Sequence, residues 1–217
     1  MDSKTKRLTT IAMLSAMAFA AVLLIRIPMV LFLEYDPKNV IIVIAGFIWG
    51  PFTSFIVSLI VSTLELFTIS SDGIIGFIMN ILASCSFACT AAYIYKRDRT
   101  IKGSITGLVS GTICMTVVMI VWNYLVTPIY MGYPREAVVQ LLVPAILPFN
   151  LIKGGIDSTI VFLIYKPIVT ALRKTIFKKE CESKPEPKIK VHPGLIIVAC
   201  VILITFIMIA LAIKGII

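Results

Sequence analysis

The sequence is poor in the residues and motifs that most enzymes use for chemistry. It has one histidine, His192, which precedes a proline in a charged stretch. It contains no H-E-x-x-H zinc motif, no G-x-S-x-G nucleophile elbow and no G-x-x-x-x-G-K-[ST] phosphate loop. These absences argue against an enzyme, and they predict that the chain does not hydrolyse ATP by itself. Any energy for its work then comes from a gradient or from a partner.

Charged residues are also scarce, and this excludes a soluble domain. Only 14% of the residues are charged and 59% are hydrophobic, with a mean hydropathy of +1.02. Soluble domains are about 25% charged and about 45–50% apolar, and disordered chains are more polar still. Most of the five cysteines lie in apolar stretches without metal-ligand spacing, so we expect neither a metal nor a cofactor. The composition predicts an all-α integral membrane protein.

Seven apolar stretches fit membrane helices, each of which needs roughly 20 residues. They cover residues 8–31, 39–49, 52–69, 74–95, 104–126, 143–172 and 195–213. The second is short, and Pro51 after Gly50 is expected to start the third, because proline is tolerated in the first turn of a helix. We expect three parts. They are a six-helix domain over 1–175, a charged cytoplasmic linker over 176–193, and an additional transmembrane helix over 194–217.

The distribution of basic residues predicts how the chain crosses the cell membrane. Fifteen of the 20 lysines and arginines fall on one side if the N-terminus is cytoplasmic, which satisfies the positive-inside rule. The same topology places the loops 34–38, 70–73 and 127–140 outside. It also predicts an extracellular C-terminus.

Polar side chains inside the apolar stretches are costly in a bilayer, so each is a candidate functional residue. We single out Glu65, Asn80, Asn123, Asn150, Lys153 and Asp157. All but Asn80 are predicted at a similar depth near the outer face, close to the loops 34–38 and 127–140. This layout predicts a ligand pocket that opens to the outside.

Several of these residues have two interpretations. Lys153 and Asp157 are four residues apart and share a helix face, so they are expected to pair. The pair serves either a polyhydroxylated ligand or the packing of the sixth span. The Asn123 amide suits either an imide or amide edge of a ligand or a bond to another helix. Asn80 and Glu65 likewise serve either contact with a ligand or packing between helices.

Small residues form two stripes at helical spacing. Ala12, Ala16 and Ala20 recur every four residues in the first span, and Gly103, Gly107 and Gly111 do so in the fifth. Stripes of this kind let another helix approach closely. The approaching helix belongs either to the same chain or to a partner subunit.

Together these features resemble a known family, the substrate-binding S components of energy-coupling factor (ECF) vitamin transporters, and within it the riboflavin-specific type. The resemblance covers about residues 5–175. It is carried by the alanine stripe, by L-E-Y-D-P-K at 33–38, by residues 46–51, by Asn123 and by P-F-N-L-I-K-G at 148–154.

The resemblance implies a six-helix S-component bundle that captures riboflavin, or its phosphate FMN, from outside. It implies a membrane scaffold subunit and two ATPase subunits as partners, with Ala12, Ala16 and Ala20 as the docking face. A loop around Tyr35 would close over the pocket. Asn123 would read the imide of the flavin, and Lys153 and Asp157 would hold the ribityl hydroxyls.

Three alternatives to riboflavin capture stay open at this point. The chain could be an S component for another vitamin, a secondary carrier or channel that works alone, or a structural membrane protein without a ligand. The resemblance does not reach the seventh apolar stretch. We expect that stretch to be an accessory anchor or partner contact, whose removal leaves ligand binding intact.

Overall fold

The computed structural model describes residues 3–30, 33–70, 73–132, 134–176 and 193–213. The helices are α1 (Ser3–Leu24), α2 (Lys38–Trp49), α3 (Pro51–Thr68), α4 (Gly73–Arg97), α5 (Ile101–Met131), α6 (Arg135–Leu141), α7 (Leu147–Ile176) and α8 (Pro193–Ile213), and a π-helical turn (Leu142–Ile146) joins α6 to α7. Two short strands, β1 (Ile27–Val30) and β2 (Leu33–Tyr35), form an antiparallel hairpin. The helical membrane fold is confirmed, with the hairpin as an addition that the sequence did not reveal.

Five helices, α1, α3, α4, α5 and the α6–α7 unit, are long and apolar enough to span a membrane. Two shorter apolar helices, Lys38–Trp49 and Ile196–Ala212, account for the second and seventh predicted spans. The predicted linker over 176–193 lies almost wholly outside the described residues, so the domain boundaries stay predictions.

The short helix α2 is the centre of the bundle. It contacts α1, α3, α4 and α7, and its Ile42, Val43 and Ala45 are fully buried. A helix that is apolar on every side belongs in a core. Its 12 residues span only about 18 Å, less than the hydrocarbon core of about 30 Å. Its N-terminus therefore begins inside the bundle rather than at a membrane surface.

The turn between α2 and α3 is the one that the sequence predicted. Gly50 has a φ of 98° and ends α2, and Pro51 occupies the first turn of α3. This backbone conformation is in the left-handed half of φ space, where a Cβ atom is strained and glycine is not. The Gly50-Pro51 pair thus explains why α2 is short and why α3 follows without a loop.

Two predicted boundaries are wrong. The first span was expected to reach residue 31, but α1 ends at Leu24, and the apolar residues after it form β1. Pro28 cannot continue a helix, and it pairs with Glu34 in the hairpin. The loop expected over 127–140 is also wrong, because α5 continues through Pro128 to Met131 and α6 begins at Arg135.

The two small-residue stripes have different surroundings. A Cβ atom on Gly107 would lie 2.7 Å from the carbonyl oxygen of Ala91, and one on Gly111 would lie 2.6 Å from that of Phe87. The glycine stripe therefore packs α5 against α4 within the chain. Ala12, Ala16 and Ala20 are instead exposed on α1, so a surface made of small apolar residues is left uncovered.

Candidate ligand-binding site

A polar cavity lies at the end of the bundle that carries the hairpin. Its volume is about 100 Å³, and its wall includes residues from β2, from the starts of α2, α4 and α7, and from the end of α3. The charged and amide groups that line it are Asp36, Lys38, Glu65, Asn80, Asn150 and Lys153, and Arg26 and Glu34 also line it. Four of the seven predicted ligand-binding residues, Glu65, Asn80, Asn150 and Lys153, thus line one cavity.

Lys38 is the centre of the first hydrogen-bond network in the cavity. Its Nζ lies 2.9 Å from Oε1 and 2.8 Å from Oε2 of Glu65, and it donates to Oδ1 of Asn80 over 3.2 Å. Nδ2 of Asn80 donates to Oε2 of Glu65 over 3.0 Å. The ammonium group and the carboxylate are both buried, so each compensates the desolvation of the other.

Asp36 links this network to a second one on α7. Its Oδ2 accepts a hydrogen bond from Nζ of Lys153 over 2.8 Å and lies 3.7 Å from Nζ of Lys38. Burial alone would raise the pKa of Asp36, but the two ammonium groups outweigh it and hold the pKa at about 2. The carboxylate is therefore charged at every physiological pH.

Asp157 belongs to a third set of bonds, next to the cavity rather than in its wall. Its Oδ1 accepts from the hydroxyl of Tyr35 over 3.0 Å, and its Oδ2 accepts from Nδ2 of Asn39 over 3.2 Å. Burial, and then the carboxylate of Asp157, raise the pKa of Tyr35, which keeps the phenol protonated as a donor. Tyr35 thereby ties the hairpin to α7.

The expected ion pair between Lys153 and Asp157 is wrong. Among the described residues, Lys153 forms its salt bridge with Asp36, and Asp157 binds Tyr35 and Asn39. The two side chains share a face of α7 as predicted. Each side chain instead binds residues from outside α7: Lys153 binds Asp36, and Asp157 binds Tyr35 and Asn39.

The two remaining predicted residues bond within their own helices. Nδ2 of Asn123 donates to the carbonyl oxygen of Met119 over 2.7 Å, and its Oδ1 accepts from Thr127 over 2.9 Å. Among the described residues, the bond to another helix that was the alternative interpretation of Asn123 is therefore not formed. Nδ2 of Asn150 donates to the carbonyl oxygen of Ile146 over 2.8 Å, which leaves its side-chain oxygen for other partners.

Sequence reasoning missed Asp36, Lys38 and Asn39, which it placed in or beside an external polar loop. All three are buried, and Lys38 is only 3% exposed. The signal was the short apolar stretch that follows them. A helix too short to span the membrane begins below the surface, and it carries the residues at its N-terminus into the bundle.

Comparison with known proteins agrees with this architecture. The model of the family described as "ECF transporter, substrate-specific component" matches residues 6–165. A solved S component of a bacterial ECF transporter superposes with a TM-score of 0.68 at 36% identity. That match covers 78% of this chain and 99% of the solved one, and the family match ends before α8 begins.

Curated relatives belong to the same group. The riboflavin transporter RibU of Staphylococcus aureus (strain TCH60) is 36% identical over 180 residues, which are 79% of this chain and 94% of the relative. The riboflavin transporter FmnP of Bacillus subtilis (strain 168) is 32% identical over 174 residues, 75% of this chain and 91% of the relative. The chain is a substrate-specific S component of the ECF transporter family, a multi-pass membrane protein and not an enzyme.

Proposed function

We propose that this chain captures riboflavin, or its phosphate FMN, on the extracellular side and brings it into the cell as part of an ECF importer. The observation that carries the proposal is the polar cavity, in which buried charges from the hairpin, α2, α3 and α7 converge. Relatives that share a third of its residues along most of its length are named riboflavin transporters. Buried ionisable groups inside a membrane bundle are expensive, and they mark a substrate site by default.

The chemistry of the cavity suits this ligand. Riboflavin has a flat apolar ring system, an imide edge with one N–H between two carbonyls, and a chain of hydroxyl groups. Lys153 offers ammonium donors and Asp157 offers carboxylate acceptors to the hydroxyls. Methionine side chains of α4 and α5, among them Met79 and Met115, also line the cavity and would cover the rings.

The ligand set is the one that the sequence predicted, enlarged by two residues: Tyr35, Asp36, Lys38, Glu65, Asn80, Asn123, Asn150, Lys153 and Asp157. Asn123 is kept although it does not line the cavity. It lies one turn beyond Met119 and two turns beyond Met115, which both do. A cavity that widens along this face of α5 reaches the Asn123 amide.

Ligand entry requires the cavity to widen. A volume of about 100 Å³ is well below the roughly 300 Å³ at which small-molecule pockets begin. The hairpin is the element that can yield, because it is short and its Arg26–Glu34 ion pair is about one-third exposed. Outward movement of the hairpin would break the bond from Tyr35 to Asp157 and admit the ligand between them.

The energy for transport would come from partners, because the chain has no phosphate loop of its own. We infer a membrane scaffold subunit with two ATPase subunits, docked on Ala12, Ala16 and Ala20. The exposure of this stripe supports the inference, since the described part of the chain leaves the three alanines exposed. A cytoplasmic N-terminus and an extracellular hairpin agree with the distribution of basic residues.

Uptake of labelled riboflavin by vesicles tests this proposal. We expect ATP-dependent uptake when the chain is combined with a scaffold subunit and two ATPase subunits, and none when the chain is alone. A variant of the ATPases that cannot hydrolyse ATP is the matched control. Uptake by the chain alone would instead identify a secondary carrier and contradict the proposal.

A further inference from the structure

Helix α8, which lies beyond the residues that the family model matches, packs on the bundle with one face. Ala199, Leu203, Phe206 and Ala210 follow one another at steps of four, three and four residues, which places them on one side of a helix. Ala199 is 6% exposed, and the other three pack against buried residues of the bundle. The opposite side is open to lipid, with Ile197 64% and Ile204 60% exposed. An anchor that is independent of the bundle would show no such difference between its faces.

The contact between α8 and α7 depends on a glycine. A Cβ atom on Gly155 would lie 2.5 Å from Cζ and 2.6 Å from Cε2 of Phe206. Real Cβ atoms do not approach other carbons this closely, so the phenylalanine ring occupies the space that a side chain at position 155 would need. Gly155 is two residues from both Lys153 and Asp157, which places it on the opposite side of α7 from them. The ring of Phe206 is therefore seated on the side of α7 that faces away from the polar cavity.

The same face of α8 also touches the hairpin. Leu203, Phe206 and Ala210 pack against a cluster formed by Tyr35, Ile152 and Ile156, to which Met29 of β1 also belongs. Residues of α8 also lie close to residues of β1. Tyr35 is thus held at both ends, since its hydroxyl binds Asp157 and its ring belongs to the cluster that α8 covers.

We propose that α8 is a positioning element that holds the hairpin and Tyr35 in the closed arrangement over the cavity, and so slows the release of bound ligand. Phe206 is the positioning residue, and it acts through Tyr35 rather than by touching the ligand. This inference rests on the proposed function. The role of α8 follows from the size of the cavity. Because the cavity of about 100 Å³ is too small to pass a flavin, release of the ligand requires the hairpin to move away from α7. Contacts that resist this movement raise the barrier to dissociation.

The dissociation rate of riboflavin from the full-length chain tests this inference. The protein in nanodiscs is loaded with riboflavin, whose fluorescence is quenched on binding, and is then diluted far below its dissociation constant. We compare the wild type with Phe206→Ala and with a control, Ile207→Ala, whose side chain is 42% exposed. Phe206→Leu keeps an apolar side chain in the contact and is the rescue variant.

We expect Phe206→Ala to release riboflavin about three- to tenfold faster, since most effects of lost packing contacts fall on the dissociation rate. Ile207→Ala should match the wild type, and Phe206→Leu should lie close to it. Gly155→Ala disturbs the same contact from α7 and should also speed release. It provides the measurement if Phe206→Ala does not fold.

The outcomes separate the two proposals. If the wild type does not quench riboflavin fluorescence at all, the proposed function is wrong, and this inference fails with it. If the wild type binds and both Phe206→Ala and Gly155→Ala release riboflavin at the rate of Ile207→Ala, the inference alone is wrong. Helix α8 would then be the accessory anchor or partner contact that the sequence predicted.

Discussion

The polar cavity and the alanine stripe of α1 are opposite in character, although they belong to one small bundle. The cavity collects buried charges, with Lys38 and Lys153 paired to Glu65 and Asp36. The stripe has no charge, and its three alanines are exposed. A polar ligand is recognised by fixed donors and acceptors, whereas a membrane subunit docks on a smooth apolar surface by close packing. Ligand capture and coupling to partners should therefore be separable by mutation.

The glycine stripe of α5 differs from the alanine stripe in its surroundings. It has the same four-residue spacing as the alanine stripe, but Gly107 and Gly111 meet the backbone of α4. Spacing alone therefore shows that a helix can be approached closely, and only the fold shows whether a neighbour within the chain already does so. Of the two stripes, the one on α1 is available to another subunit.

The largest expected effect on ligand capture comes from Lys153→Met. The change removes an ammonium group from the cavity and leaves the buried carboxylate of Asp36 with less compensation. Loss of one member of a buried charge pair costs at least about 2 kcal/mol, so riboflavin affinity should fall about 30-fold or more. Isothermal titration calorimetry on the purified chain measures the change.

The double variant Asp36→Asn/Lys153→Met controls for misfolding. Removing both charges relieves the unpaired carboxylate, so thermal stability should recover relative to Lys153→Met while riboflavin affinity stays low. Recovery of affinity together with stability would mean that the pair serves only the packing of α7. The polar cavity would then not be the site of ligand capture.

A smaller effect on capture is expected from Asn123→Ala. If the amide reads the imide edge of the flavin, its loss removes one or two hydrogen bonds and lowers affinity by about tenfold. Thr127→Val is the matched control, because it removes the partner of Asn123 on α5 and leaves the amide in place. Equal affinities for Asn123→Ala and Thr127→Val would show that the amide only stabilises its own helix.

The smallest effect on capture is expected from Ala16→Leu in the exposed stripe. The larger side chain points away from the bundle, so riboflavin affinity should stay within about twofold of the wild type. ATP-dependent uptake should fall by about tenfold or more, since the bulky residue keeps the partner helix at a distance. Met17→Leu, a neighbouring change at a side chain that is 50% exposed, should leave both properties intact. Normal uptake by Ala16→Leu would place the docking surface elsewhere.

Much of the fold could be predicted from the sequence, because apolar length and helix breakers are local properties. The Gly50-Pro51 turn and the starts of α3 and α4 were located to within a residue or two. The hairpin was not, because Ile27–Val30 is as apolar as the helix before it, and Leu31 and Phe32, which separate it from β2, carry no glycine or asparagine turn signal. Pro128 was read as part of a loop, although a proline inside a membrane helix is tolerated when neighbouring groups satisfy the freed backbone.

Only those site residues could be predicted that are unusual for the segment in which they occur. Glu65 and Lys153 stand out because each is ionisable within an apolar stretch. Asp36 and Lys38 do not, since a polar segment between two spans has the composition of an exposed loop. The partner choices were beyond reach, because Asp36 and Lys153 are 117 residues apart in sequence, and local spacing favoured a pair between Lys153 and Asp157 instead.

Binding of riboflavin in the polar cavity is the property on which the proposed function depends. The most direct test is a titration of purified, flavin-free protein with riboflavin, followed by quenching of flavin fluorescence, for the wild type and Lys153→Met side by side. We expect saturable quenching by the wild type and a curve shifted to about 30-fold higher riboflavin concentration for the variant. A flat titration of the wild type, or identical curves for the two proteins, would contradict it.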